Sequence, residues 1–240
     1  MAKAAEAALL VFARVPRAGH VKTRLVPLLG EHGAARLHAR LVEKTLRTAR
    51  AAGFDRVELH CDPGIGSEFF RKMRKRFGVR LRSQGRGDLG DRMYGALRRE
   101  PGALLIGTDC PALRPADLRA AVRALRTGAD AVLSPAEDGG YALIGLRRVS
   151  RALFEGVEWG SAKVMTQTRT RLRRLGWRWK ELRTVWDIDR PEDVQRLRRS
   201  RRLAPLAARL PRPRPLSAAG RRRARPSAGS PARSDAPGRP

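Results

Sequence analysis

The 240-residue sequence predicts an α/β protein whose mostly parallel sheet is covered by helices. Two apolar runs carry that prediction. Ala8 to Ala13 (ALLVFA) and Ala103 to Pro111 (ALLIGTDCP) are short, unbroken and bounded by turn residues, which is how strands buried on both faces read. Stretches with apolar residues at helical spacing separate these and the other strand-like segments. The length allows one sizeable core and a tail, and the composition divides the chain into a domain over 1–200 and an Arg/Pro-rich tail over 201–240.

Taken in order, Ala8 to Ala13 runs into the loop Arg14 to Leu25 (RVPRAGHVKTRL), with cationic side chains at Arg14, Arg17, Lys22 and Arg24. A basic, glycine-containing loop after the first strand can receive phosphates through backbone N–H groups and charged side chains, or stand as a solvated turn. It lacks both the Walker and the dinucleotide-binding glycine patterns. Glu31 to Ala52 is helical, with Leu37, Leu41 and Leu46 on one face and Gly53 as its stop. His32 and His38 fall on this helix away from Asp or Glu at metal-ligand spacing, and read as surface or packing residues. Arg56 to Cys61 is a second strand, Ser67 to Phe77 a basic helix and Val79 to Arg82 a third strand.

Gln84 to Met93 (QGRGDLGDRM) carries Gly85, Gly87 and Gly90, which permit close backbone approach to a flat ligand, and continues as a helix through Leu97. The central strand then delivers Asp109 to its carboxyl end, the edge at which open α/β sheets bind ligands. A carboxylate there can hold a divalent cation against phosphates or cap the following turn. Pro115 to Thr127 is a helix opened by proline, and Asp130 to Leu146 a strand, a turn and a strand. The turn holds Glu137, Asp138, Gly139 and Gly140, with Tyr141 beyond, and is either hairpin chemistry or an acidic wall facing an acceptor. A short helix over Ser150 to Gly156 follows, Ser161 is expected to cap a long helix ending near Leu175, and Trp177 and Trp179 lie in a strand-like run. VWDIDRPEDV places Glu192 and Asp193 in the first turn of a proline-started helix, with Asp187 and Asp189 in the preceding loop, where a second metal carboxylate could originate.

The formal net charge of +29 is extreme and by itself suggests nucleic acid or an anionic surface. From Arg198 to the end, however, 13 arginines face the lone Asp235, a net +12 from the tail. The basic residues are overwhelmingly Arg throughout, a compositional bias, so nucleic acid is not the expected partner. The tail has scarcely any large apolar residue after Leu216 and is expected to be disordered. Cys61 and Cys110 show no zinc or disulfide spacing, which fits a reducing cytoplasm. Ala7 to Phe12 is too short and too soon followed by Arg14 to be the core of a signal peptide, and no later segment is long enough to cross a bilayer.

Together, FARVPRAGHVKTRL, QGRGDLGDRM, LIGTDCPAL, LSPAEDGGYALIGL, FEGVEWGSAKV and WDIDRPEDV occur in an order that resembles the glycosyltransferases associated with arsenosugar biosynthesis. These are a bacterial family within the GT-A nucleotide-diphospho-sugar transferase superfamily, and the resemblance runs from about Leu9 to Leu197. It implies a Rossmann-like three-layer α/β/α sandwich that uses Mg²⁺ or Mn²⁺, a nucleotide-sugar and a small-molecule acceptor. Asp109 and Asp189 are the implied metal ligands. Lys22, Thr23 and Arg24 are the implied phosphate contacts; Phe12, Ala13, Arg14, Gln84, Gly87 and Asp88 are expected to complete the nucleotide site, with Lys22 and Arg24 also neutralising the departing diphosphate. Beyond the resemblance, Asp138, positioned by Gly139 and Gly140, is the expected acceptor-side base, and Asp138, Gly139, Gly140, Tyr141 and Trp159 are the expected acceptor contacts. Cys110 and Pro111 follow Asp109 where GT-A glycosyltransferases usually carry Asp-x-Asp. Superfamily nucleotidyltransferases are similar in the KTRL loop and in the segment before PED, so transfer of a nucleotide with release of pyrophosphate is the alternative reaction. A non-enzymatic Arg-rich nucleic-acid-binding module, acting through the tail, is the remaining one.

Overall fold

The computed structural model describes residues 7–211. Seven strands form one sheet: β1 (Ala8–Arg14), β2 (Arg56–Asp62), β3 (Arg80–Ser83), β4 (Leu104–Ile106), β5 (Ala131–Pro135), β6 (Tyr141–Leu146) and β7 (Trp179–Glu181). Their spatial order is β3-β2-β1-β4-β6-β5-β7. Only β6 runs against its neighbours, since it returns from β5 through the 136–140 hairpin and pairs antiparallel with both β5 and β4. The remaining pairs are parallel, so the sheet is mostly parallel, as the buried apolar strands predict.

Among the described residues, six α-helices complete the layers: α1 (Val26–Ala52), α2 (Glu68–Phe77), α3 (Leu89–Arg99), α4 (Pro115–Arg126), α5 (Val164–Arg174) and α6 (Pro191–Arg199). Alternation along β1 sorts its side chains between the two faces of the sheet. Leu9, Val11 and Ala13 pack with Val42 and Leu46 of α1, Phe70 and Met73 of α2, and Leu118 and Val122 of α4. Ala8, Leu10 and Phe12 face the opposite way and pack with Met93, Ala96 and Leu97 of α3 and Met165 and Leu172 of α5. The result is the three-layer α/β/α sandwich.

Three boundaries differ from the sequence reading, each for a local reason. α1 starts at Val26, with a non-helical break at Gly30 (φ 66°), so the helix expected from Glu31 is the part beyond that kink. Ser161 does not cap α5. Lys163 is the N-cap residue, and the hairpin's Gly139 carbonyl accepts the Met165 N–H at 2.8 Å, serving an orphan donor of the first turn in place of a serine hydroxyl. Finally, the ordered chain runs past Ser200. Leu203, Ala207 and Leu210 are buried against Leu37 and Leu41 of α1 and Val194 and Leu197 of α6, because enough apolar side chains remain there to close a third cluster. Residues 212–240, the rest of the expected tail, lie outside the described residues. Among the described residues, no helix is long and apolar enough to cross a membrane.

Candidate active site at the carboxyl edge of the sheet

β1, β4 and β5 run parallel or nearly so in space, and the chain leaving their carboxyl ends forms one rim. The segment after β7 is sewn onto that rim by its backbone: Val185 N–H donates to Pro135 O at 2.9 Å and Ile188 N–H to Asp109 O at 2.9 Å. Asp187 and Asp189, the neighbours of Ile188, are thereby held close to Asp109. The Asp193 carboxylate accepts from Asp189 N–H at 3.0 Å and from Arg190 N–H at 2.7 Å, so the first-turn acid of α6 both caps its helix and fixes the Asp189 backbone.

Lys22 closes the rim from the other side. Its backbone is left-handed (φ 50°), an uncommon conformation for a residue with a Cβ. Its side chain is only 4% exposed, with Nζ 2.9 Å from the half-exposed Asp109 carboxylate and donating also to Ile188 O. Arg24 donates to Asp189. Desolvation by the surrounding protein alone would raise the Asp109 pKa, but Lys22 and His38 outweigh it and hold the carboxyl below its usual value. His38 enters from α1 with Nε2 3.0 Å from Arg14 O and Nδ1 4.0 Å from Asp109. Burial lowers its pKa against the pull of Asp109, and Nδ1 is buried with no hydrogen-bond partner.

Two adjoining cavities share Phe12, Leu89, Gly107 and Asp109. The larger, about 490 Å³, is lined by Ala13, Arg14, His20, Lys22, Thr23, Arg24, His38, Gln84 and Asp189. Gln84 is fixed there, donating through Nε2 to Ala13 O at 3.2 Å and His60 O at 3.0 Å. The smaller, about 280 Å³, is bounded by Met93, Leu105, Tyr141, Ala142, Trp159 and Val164, with Asp138, Asp187 and Cys110 among its polar groups. Tyr141 and Trp159 meet edge to face, their ring centroids 6.5 Å apart. Asp138 accepts from Gly140 N–H at 3.0 Å. Burial, reinforced by the charge of Asp138, pushes the Asp187 pKa up to about 6. Burial and the surrounding carboxylates push the Cys110 thiol well up, which keeps it protonated.

Most of the residues singled out from the sequence therefore gather at one edge: Phe12, Ala13, Arg14, Lys22, Thr23, Arg24, Gln84, Asp109 and Asp189 around the larger cavity, and Asp138, Gly140, Tyr141 and Trp159 around the smaller. Three line neither cavity. Gly87 is left-handed (φ 88°) in the turn before α3, and a Cβ there would lie 2.5 Å from the Asp91 carboxylate. Asp88 caps α3, accepting from Asp91 N–H at 2.8 Å. Gly139 is left-handed (φ 89°), and a Cβ there would meet the Ala162 carbonyl at 2.3 Å, so it allows the hairpin to touch the turn before α5. The sequence reading missed His38, which looked like a packing residue because its partners come from the distant segments around Arg14 and Asp109. It placed Asp187 with Asp189 in the loop where a second metal carboxylate could originate, whereas the structure sets Asp187 in the wall of the smaller cavity and Asp189 in that of the larger.

A metal cage is not prebuilt: among the described residues, no three His, Cys, Asp or Glu side chains stand together at metal-binding spacing. Asp109 and Asp189 offer hard carboxylate oxygens on one cavity wall and are each neutralised by a neighbouring cation. Two carboxylates suit Mg²⁺ or Mn²⁺ arriving with a polyphosphate, since these ions take few protein ligands and fill their shell with phosphate and water.

The fold is that of nucleotide-diphospho-sugar transferases. A structure from Desulfovibrio desulfuricans G20, provisionally named a nucleotide-diphospho-sugar transferase, superposes with a TM-score of 0.74 at 28% identity, covering 83% of this chain and 93% of its own. A nucleotidyl transferase from Methanothermobacter (TM-score 0.50, 17% identity, 80% and 96% covered) and the 4-diphosphocytidyl-2C-methyl-D-erythritol synthase of Anaerococcus prevotii DSM 20548 (0.52, 12%, 79% and 94%) share the fold. The family described as an uncharacterized protein conserved in bacteria, DUF2064, matches residues 45–161. No curated protein matches the sequence. The family match and the Desulfovibrio structure together support membership of the nucleotide-diphospho-sugar transferase superfamily.

Proposed function

We propose that the protein is a metal-dependent glycosyltransferase that moves a sugar from a nucleotide diphosphate to a small-molecule acceptor. We place it with the arsenosugar-associated glycosyltransferases that its six sequence segments resemble, and in the reducing cytoplasm that its two free cysteines fit. One observation carries the reading: a cavity lined by cations and a cavity lined by carboxylates and aromatic rings meet at Asp109. A diphosphate belongs in the first, and the reacting sugar carbon then lies at the junction, facing the second.

Transfer breaks the bond between the sugar carbon and the β-phosphate oxygen and forms one to the acceptor oxygen, while the acceptor hydroxyl loses its proton. The difficulty is charge accumulating on the departing diphosphate. Lys22 and Arg24 supply positive charge at that place, Lys22 from a nearly buried stem that keeps its ammonium fixed. Mg²⁺ or Mn²⁺, held by Asp109 and Asp189, would supply further neutralisation. Asp138, on the acceptor side, takes the hydroxyl proton.

The test is thermal-shift and calorimetric titration with a panel of nucleotide sugars, with and without Mn²⁺, on wild type and Asp109→Asn. Wild type is expected to bind a nucleotide sugar in a Mn²⁺-dependent manner and Asp109→Asn to lose that dependence while keeping its circular dichroism. Pyrophosphate release from a nucleoside triphosphate, with no sugar donor consumed, would overturn glycosyl transfer in favour of nucleotidyl transfer.

A further inference from the structure

The smaller cavity has a charge character opposite to that of the chain. The protein carries 52 Lys and Arg against 23 Asp and Glu, yet no Lys, Arg or His lines this cavity, while Asp109, Asp138 and Asp187 all do. Low-dielectric walls focus such a field, so the pocket repels anions although the molecule as a whole attracts them. The neighbouring cavity sets the cations Arg14, Lys22 and Arg24 beside its two carboxylates, Asp109 and Asp189. Any phosphate on a substrate is thus directed to one side of Asp109.

The rings bear independent witness. Three of the four tryptophans carry an arginine over their face: Arg148 on Trp177 at 5.5 Å, Arg173 on Trp179 at 5.9 Å and Arg196 on Trp186 at 4.6 Å. No arginine of the described chain stacks on Trp159 or Tyr141, the two rings that wall the cavity at an interplanar angle of 89°. Among the described residues, Trp159 is thus the one tryptophan with no arginine over it, and its face and that of Tyr141 stand at the cavity available to a cation from outside.

We infer that the smaller cavity selects a compact acceptor carrying a hydroxyl group beside a positive charge, an amine or a quaternary ammonium, and excludes phosphorylated or carboxylated acceptors. This rests on the proposed glycosyl transfer. The cation lies against Trp159 and Tyr141 with Asp187 as its counter-charge, which turns the hydroxyl toward Asp138 and the donor carbon. An anionic acceptor would meet the Asp138 and Asp187 carboxylates and no donor cation.

The experiment uses the full chain with Mn²⁺ and a saturating nucleoside diphosphate, titrated calorimetrically with choline, glycerol and glycerate as cationic, neutral and anionic hydroxyl compounds of similar size. Choline is expected to bind at least about tenfold more tightly than glycerate, and Asp187→Asn and Trp159→Leu each to lower choline affinity by about tenfold. Glycerate binding as tightly as choline, or choline not binding, overturns the inference even if both variants fail to fold, because that comparison needs only wild type. Failure of the nucleoside diphosphate to bind in the same cell would instead refute the donor reading.

Discussion

Substituting His60 tests how the floor of the site is held. His60 on β2 is fully buried, stacks on Phe12 with ring centroids 5.2 Å apart, and offers its backbone carbonyl to Gln84. Phe12 and Gln84 both line the larger cavity, so His60 stands directly behind it. Its Nε2 lies 3.3 Å from Glu58, which is also bound by Arg80 and Arg82 of β3, and Arg99 of α3 adds a further positive charge; Nδ1 is buried without a partner. Desolvation dominates and, against the attraction of Glu58, lowers the His60 pKa from 6.5 to about 4. A histidine that is neutral in the fold but protonated in the unfolded chain gives the unfolded state more bound protons, so stability rises with pH between those two values. From about pH 7.5 down to about pH 4 the loss is about 3 kcal/mol, a large share of a typical domain's stability. Glu58 is held below its usual value by Arg82 and His60 despite its burial, and adds a loss of the same sign at lower pH. Urea unfolding followed by tryptophan fluorescence across that range should therefore show a steep fall for wild type and a much shallower one for His60→Gln, which keeps a donor for Glu58 but cannot titrate. Identical slopes in the two proteins would refute the desolvation reasoning.

Lys22→Arg is expected to be disruptive although it keeps the charge, because a forked guanidinium replaces a compact ammonium in a space only 4% exposed. Overpacking should cost about 1–3 kcal/mol in urea melts, together with weaker Mn²⁺-dependent nucleotide binding. Gly90→Ala places a Cβ 2.9 Å from the Trp159 indole and 3.0 Å from Phe154 O. The ring must move, so a loss of about 1–3 kcal/mol should accompany a changed tryptophan emission and weaker choline binding. Leu203→Ala, at a residue 3% exposed, should lose about 2–5 kcal/mol in the same melts, whereas a boundary at Ser200 predicts no loss.

What was legible in the sequence was whatever a short stretch fixes for itself. Strands buried on both faces need unbroken apolar runs, so β1 and β4 could be read directly, and the acid-glycine turn gave the β5–β6 hairpin. The rim position of Asp109 followed from the end of its own strand. Positions set by distant partners could not be read. His38 has an ordinary helical context, and only the fold brings it to Arg14 and Asp109. Ser161 has the residue type of a cap, yet the Gly139 carbonyl, from another element, bonds the first turn of α5 instead. Leu203, Ala207 and Leu210 sit in an arginine- and proline-rich context that hides an apolar face, visible only once α1 and α6 provide its other half.

The most conspicuous property of the sequence, its arginine excess, is for that reason a weak guide to the site, and the exceptions to it are the better one. Only seven of the 52 basic residues are lysines, and one of these, Lys22, is the nearly buried cation on Asp109. Some arginines elsewhere form forked pairs, such as Arg169 with Glu181 and Arg183 with Asp117. Such a pair locks a carboxylate by occupying both of its oxygens. The single Lys22 ammonium contacts Oδ1 of Asp109 and leaves that side chain 52% exposed, with its other oxygen free to face a ligand. In a chain so biased toward arginine, a lysine at this position marks a carboxylate that is neutralised without being closed off.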